Sequence, residues 1–128
     1  MVLPVHRDEN VARWDPLALL DHAFTPLADV EETDDAYIVE VELAGVKRED
    51  VSVEVTGSRV TISGERKERQ RGGILRRRTR TVGQFRYDVD LPGQIEEDGV
   101  SASMEEGVLT VRLPKPAKDR PRRIPINS

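Results

Sequence analysis

The sequence predicts an all-β fold, an antiparallel β-sandwich that follows a short helical N-terminal arm and precedes an extended C-terminal tail. From about residue 29 to residue 114, apolar and polar residues alternate with a period of two. Glycine, proline or clustered charge divides this region into short runs, as between the strands of a sheet. No long helical pattern separates the runs to serve as the crossover that parallel strands require. We therefore expect two antiparallel sheets packed face to face.

The length and composition favour one soluble domain with flanking arms. The chain has 128 residues, and 34% of them are charged while 37% are hydrophobic. We divide it into an N-terminal arm (residues 1–28), a β domain (29–114) and a C-terminal extension (115–128). The absence of cysteine excludes disulfides, thiol nucleophiles and cysteine-ligated metals. With neither a leader pattern nor an apolar run of about 20 residues, we expect a cytoplasmic protein without a membrane span.

The N-terminal arm contains apolar residues at helical spacing. Asp15 before Pro16 is a suitable helix cap, because proline at the first helical position lacks only an N–H group that the helix would leave unpaired. The helix is expected to end before Pro26. Its apolar stripe consists of Trp14, Leu17, Leu20 and Phe24.

The β domain is expected to contain at least six strands, each with one apolar face. The runs with two-residue periodicity cover residues 37–43, 51–55, 60–62, 85–91, 100–104 and 109–113. Residues 56–59 are short enough for a hairpin turn, and residues 105–107 end in a glycine that can take a positive φ. The polar stretch 44–50 is longer and is expected to be a loop.

The segment 65–82 does not fit the pattern of the sandwich. Residues 66–80 hold eight basic residues against one acidic residue, whereas residues 29–35 hold five carboxylates. We expect the basic segment to project, and either to add a strand to another chain's sheet edge or to remain a mobile, solvated loop. The opposite charges could meet between subunits. The residues proposed for strand exchange are Ile74, Leu75, Arg76, Arg77 and Arg78.

The C-terminal extension is expected to be extended and exposed. Pro116, Pro121 and Pro125 prevent it from forming a helix or a central strand. Ile124 and Ile126 share one side of an extended backbone because they are two residues apart. Pro125 restrains that backbone, so Ile124-Pro125-Ile126 forms a pre-organised plug with two apolar prongs.

Several motifs together resemble the small heat-shock protein, or α-crystallin, family, in its bacterial form. They are Trp-Asp-Pro-Leu at 14–17, Leu-Ala-Gly-Val at 43–46, Ile-Ser-Gly-Glu-Arg at 62–66, Leu-Pro at 91–92, Gly-Val-Leu-Thr-Val at 107–111 and Ile-Pro-Ile at 124–126. Two positions differ from the family pattern. Ala44 replaces a usual proline, and Tyr87 stands where the family often has an arginine.

The resemblance implies an immunoglobulin-like sandwich that dimerises by strand exchange and assembles into larger homo-oligomers. It implies an ATP-independent holdase chaperone of the stress response, which captures unfolding proteins through exposed hydrophobic surfaces, partly on the N-terminal arm. A co-chaperone adaptor domain without holdase activity is the alternative. The family's tail anchor docks between edge strands of a neighbouring subunit, here runs 51–56 and 100–105. The expected lining of that groove is Val53, Val55, Ala102 and Met104.

Catalysis and nucleic-acid binding are the competing functions. His6 and His22 lie near no convincing nucleophile or metal-ligand pattern, and the chain has no phosphate-binding P-loop motif. We therefore expect no enzyme, no cofactor and no metal site. The arginines of residues 76–80 attract phosphate, but the net charge is −4 and no aromatic residue in the basic segment is available to stack on bases. Specific nucleic-acid binding is not expected.

Overall fold

The structure is a computed structural model that describes residues 23–127. Seven strands and three short 3-10 turns make up its regular structure. The strands are β1 (Ala28–Glu32), β2 (Ala36–Glu42), β3 (Val51–Thr56), β4 (Arg59–Arg66), β5 (Gly83–Asp90), β6 (Ser101–Glu105) and β7 (Val108–Pro114). The 3-10 turns are Arg48–Asp50, Glu97–Gly99 and Ala117–Asp119.

The strands form two antiparallel sheets, which confirms the predicted fold class. One sheet has the order β1-β2-β7-β6, and the other has the order β3-β4-β5. The chain changes sheet between β2 and β3 and again between β5 and β6, as it must when the two sheets share one core. Across residues 23–127 there is no helix with the length and apolar character needed to cross a membrane.

The core lies between the sheets and is built from the inward face of each strand. In β2 the buried residues alternate with exposed glutamates, and in β3 three buried valines alternate with partly exposed polar residues. The most completely buried large side chains come from both sheets: Val39, Val41, Leu43, Val53, Val55, Val60, Ile62, Phe85, Leu109, Val111 and Leu113. The period of two therefore reflects burial on one face of each sheet.

Two tight hairpin turns occur where the sequence predicts them. Gly57, with φ of 61°, joins β3 to β4, and Gly107, with φ of 77°, follows Glu106 between β6 and β7. Glu106 itself has φ of 51°, so both central residues of this turn lie in the left-handed region that two-residue hairpins favour. The turn chemistry thus sets the register of two strand pairs.

The described chain begins as an extended segment against β5, which corrects one expectation. Phe24 forms a parallel bridge with Phe85, and the Ala23 backbone N–H donates to the carbonyl of Gln84 at 2.6 Å. The helix predicted to run up to Pro26 therefore does not include Phe24. The free edge of β5 offers backbone hydrogen bonds, and these favour the extended conformation over the local helical pattern.

The path from Phe24 into β1 also orients the two sheets relative to each other. Only three residues separate Phe24, on the edge of β5, from Ala28, the first residue of β1. The outer edges of β1 and β5 therefore lie on the same side of the sandwich. The remaining edge strands, β3 and β6, lie on the opposite side.

Candidate functional site

The exposed large apolar side chains occur away from the core, on edges and projecting segments. Among the described residues this set consists of Leu27, Val30, Ile74, Leu75, Ile124 and Ile126. Three members are nearly free of contacts with their own subunit, because Ile74 and Ile124 are each 79% exposed and Ile126 is 97% exposed. When another molecule covers apolar surface of this kind, the free energy of the system falls.

The tail leaves the sandwich from an anchored root. The Lys115 ammonium lies 2.9 Å from a carboxylate oxygen of Glu32 and 5.3 Å from the centre of the Tyr37 ring. The hydrogen bond to Glu32 is the main cause that raises the pKa of Lys115 above its usual value. Arg120 then donates to the carbonyl of Lys115 at 3.0 Å. Residues 121–127 beyond this root are exposed and belong to no strand or helix.

The predicted groove lies where the structure leaves two strand edges unpaired. Within residues 23–127, β3 pairs only with β4 and β6 pairs only with β7, so each has one free edge on the same side of the sandwich. Of the four expected lining residues, Val53, Val55 and Ala102 are buried in the core and Met104 is half-buried. A docking segment would contact Met104 directly. It would reach the other three residues only where the edges of β3 and β6 move apart. Their role as a groove stays a prediction.

The basic segment has a fixed base and an exposed tip. Residues 67–82 form no strand, and Ile74 and Leu75 are exposed together with Arg76–78. At the base, Arg66 donates to the carbonyls of Ala44 at 2.9 Å and Thr81 at 3.0 Å. Whether Ile74 and Leu75 exchange between subunits is not tested by a single chain, and that role stays a prediction.

β1 offers a free sheet edge of the opposite charge. Among the described strands it pairs only with β2, and its residues beyond Ala28 are exposed, including Asp29 and Glu31. Val30 stands opposite the buried Val39 but is itself 42% exposed. An apolar residue flanked by carboxylates is complementary to an apolar pair flanked by arginines.

Phe24 is the one member of the predicted client-binding stripe that the structure describes. Its ring centre lies 5.6 Å from that of Phe85, and the Arg66 guanidinium lies 4.7 Å from the Phe24 ring centre. Phe24 is therefore half-buried against its own sandwich. Trp14, Leu17 and Leu20 lie outside the described residues.

A polar network that sequence reasoning missed covers the outer face of the three-stranded sheet. The Thr61 hydroxyl donates to Asp88 at 2.6 Å, and Arg86 donates to the same carboxylate at 2.8 Å. Burial alone would raise the pKa of Asp88, but the hydrogen bonds from Arg86 and Thr61 and the charges of Arg86 and Arg59 outweigh it and lower that pKa. The pairing register of β4 and β5 could have revealed this network, because it sets Thr61 opposite Asp88.

Comparison with known sequences relates most of the chain to one family. The profile of the Hsp20/alpha crystallin family matches residues 29–127. The spore protein SP21 of Stigmatella aurantiaca is 35% identical over an alignment of 137 positions. That alignment covers 98% of this chain and 81% of the relative. Heat shock protein 16 of Schizosaccharomyces pombe is 39% identical over 103 residues, covering 77% of this chain and 72% of the relative.

Solved structures agree with these sequence matches. Heat shock protein 16.0 from Schizosaccharomyces pombe superposes with a TM-score of 0.70 at 35% identity, covering 81% of this chain and 98% of that one. A small heat-shock protein from Xylella fastidiosa, described as having a distinct high order structure, gives a TM-score of 0.67 at 30% identity, covering 83% of this chain and 99% of that one. Both likenesses extend over nearly the whole of the solved chains.

Proposed function

Because the chain belongs to the Hsp20/alpha crystallin family, we propose that it is an ATP-independent holdase that binds unfolding proteins and prevents their aggregation. Membership supports a chaperone role, since this is a family of small heat shock chaperones and not of enzymes. The observation that carries the proposal is the exposed Ile124-Pro125-Ile126 at the end of a tail rooted on a rigid sandwich. Such a tail is built to contact another molecule.

In the proposed assembly, the tail plugs of many subunits dock between β3 and β6 of their neighbours. Burial of Ile124 and Ile126 gives about 3 to 6 kcal/mol before the cost of ordering the tail. A net gain of about 4 kcal/mol corresponds to a dissociation constant near 1 mM, so a single tail binds weakly. Several tails that engage together hold a large assembly, and each can still detach. The assembly is therefore reversible.

In the proposed building block, the basic segment of one subunit pairs with β1 of a second copy. Ile74 and Leu75 would add to the free edge next to Val30, while Arg76–78 would face the carboxylates of β1. The charge complementarity between these segments supports this arrangement. A cytoplasmic homo-oligomer built from such dimers is the form that we propose.

Release of tails links assembly to client capture. It would uncover Met104 and the edges of β3 and β6, and with them the apolar stripe of the N-terminal arm. Hydrophobic attraction scales with apolar area and needs no particular sequence, so these surfaces can accept many unfolding clients. The charged surface would keep the resulting complexes in solution.

The function is tested by light scattering from a heated model client, with and without the protein and without ATP. A holdase suppresses the scattering at about one subunit per client molecule. Unimpeded aggregation, together with a protein that is strictly monomeric or dimeric, would instead indicate a co-chaperone adaptor.

The assembly is tested by replacing both Ile124 and Ile126 with alanine. We expect the mass measured by multi-angle light scattering to fall to that of a dimer, because the plug loses most of its apolar surface. The control variant replaces Arg122 and Arg123 with alanine, which changes the same tail but leaves the plug intact. An unchanged mass in the isoleucine variant would refute anchoring by the tail.

A further inference from the structure

A positively charged cleft lies between the basic segment and the loop that precedes β3. Its volume is about 610 Å³, within the range of small-molecule sites. Its acidic lining residues are Asp50 and Glu68. Its basic lining residues are Lys47, Arg66, Lys67, Arg69, Arg71, Arg78 and Arg80. Counting the described residues, the cleft therefore holds seven cationic side chains against two carboxylates.

Both carboxylates already have partners. Asp50 lies 3.0 Å from the ammonium of Lys67, and Glu68 lies 2.6 Å from the guanidinium of Arg78. The cations left without an acidic partner among residues 23–127 are Lys47, Arg66, Arg69, Arg71 and Arg80. Five positive charges that form no ion pair within residues 23–127 and lie in one concave site create a field that attracts anions.

The fold holds one of these guanidiniums in place and sets a second beside the loop that precedes β3. Arg66 is fixed by its hydrogen bonds to Ala44 and Thr81 and by the Phe24 ring beneath it. Arg80 lies against Gly45, so closely that a Cβ atom there would sit 2.6 Å from its Nη2 atom. Burial, followed by the nearby charge of Arg80, lowers the pKa of Arg66. Like charges held together in this way are stabilised by an anion between them.

We propose that this cleft binds an oligophosphate anion, with Arg66 and Arg80 as its central ligands. Guanidinium groups present paired N–H donors that match the oxygens of phosphate. None of the described residues that line the cleft is aromatic, so none of them offers a ring on which a nucleobase could stack, which disfavours single-stranded nucleic acid. An acidic peptide presents its side chains on alternate faces and concentrates charge less than linked phosphates do. Linked phosphates are therefore the better match for five clustered cations.

The test is calorimetric titration of the full chain with sodium tripolyphosphate at constant pH and ionic strength. We expect saturable binding that weakens about tenfold in Arg80→Gln and in Lys47→Gln, since each removes a charge-assisted contact. The control is Arg112→Gln, which removes the same charge from an exposed position of β7 outside the cleft lining. It should change the affinity less than about twofold, as expected for a screened charge outside the site.

Three results would overturn the proposal. One is the absence of tripolyphosphate binding, both by calorimetry and by equilibrium dialysis. Another is equal weakening in Arg112→Gln and Arg80→Gln, which indicates diffuse charge attraction. The third is tighter binding of hexaglutamate or of a short single-stranded oligonucleotide than of tripolyphosphate at the same ionic strength. None of these measurements requires a client, so the proposal fails or stands separately from the holdase function.

Discussion

The sandwich and the segments that project from it place the same residue type in opposite environments. Ile62 in β4 is fully buried, whereas Ile74 in the basic segment is 79% exposed and Ile126 in the tail is 97% exposed. Burial of an isoleucine on folding is worth about 1.5 to 3 kcal/mol. In the sandwich, this stabilisation comes from burial within one chain. In the projecting segments, the isoleucines can be buried in this way only against a second molecule.

The backbone shows the same division. Every strand of the sandwich has at least one hydrogen-bonded neighbour. Residues 67–82 and 121–127 contain no strand or helix, so their backbone groups depend largely on solvent. A segment with unpaired backbone groups and exposed isoleucines is suited to reversible docking, because little structure is lost when it detaches. Stability and interaction are thus carried by different parts of the chain.

The largest expected effect comes from making the same substitution in both regions. Ile62→Ala should lower the free energy of unfolding by about 2 to 5 kcal/mol, because it leaves a cavity between the sheets. Ile126→Ala should change it by less than about 0.5 kcal/mol. Urea denaturation at low protein concentration, where assemblies dissociate, measures both values.

Equal losses in the two variants would contradict this division, because they would place the tail inside the cooperative unit of the sandwich. Ile62→Val is the control for the core position. It removes one methylene group and should cost only about 0.5 to 1.5 kcal/mol.

The sequence predicted the strands whose burial is one-sided, and it failed where charge or a neighbouring strand decides the conformation. β2 and β7 alternate clearly, and both lie where their periodicity predicts. β1 was missed because Val30 is flanked by carboxylates, so its pairing with β2 has little apolar signal. The Phe24 bridge was missed because it depends on the free edge of β5, which is distant in sequence.

The candidate sites were also predictable to different degrees, because local sequence patterns do not report contacts between segments that are distant in sequence. The exposure of Ile124 and Ile126 follows from the prolines and charges around them and agrees with the structure. The groove residues came from the family resemblance, which places the groove between runs 51–56 and 100–105. The apolar faces of those runs also form the core, and Val53 and Ala102 are buried. The cleft beneath the basic segment depends on where residues 45–50 pack, and no local pattern reports that contact.

A smaller effect is expected from the polar network on the sandwich surface. Asp88→Asn weakens the hydrogen bonds from Arg86 and Thr61 and should lower the free energy of unfolding at pH 7 by about 1 kcal/mol. Urea denaturation as a function of pH measures the difference from the original chain. The control is Asp90→Asn, whose contact with Arg59 is longer and more exposed.

The sign of the pH dependence follows from the lowered pKa of Asp88. A carboxyl whose pKa is lower in the folded state stabilises that state above its unfolded pKa, which is about 3.9, and loses the effect as pH falls through the folded value. The difference between Asp88→Asn and the original chain should therefore stay constant down to about pH 5 and shrink below pH 4. A difference that grows on acidification would contradict the network.

The smallest expected effects separate two arginines of similar exposure that lie in different regions. Arg59 on β4 is 48% exposed and contacts Asp88 and Asp90, whereas Arg78 in the basic segment is 47% exposed and contacts Glu68. Exposed pairs of this kind contribute about 0.2 to 1 kcal/mol where the backbone is already ordered. Arg59→Gln should therefore lower the free energy of unfolding by an amount in that range. Arg78→Gln should leave it unchanged, because its pair with Glu68 joins two parts of a segment that does not belong to either sheet. If urea denaturation shows a loss above 1 kcal/mol for Arg78→Gln, the basic segment folds as part of the sandwich.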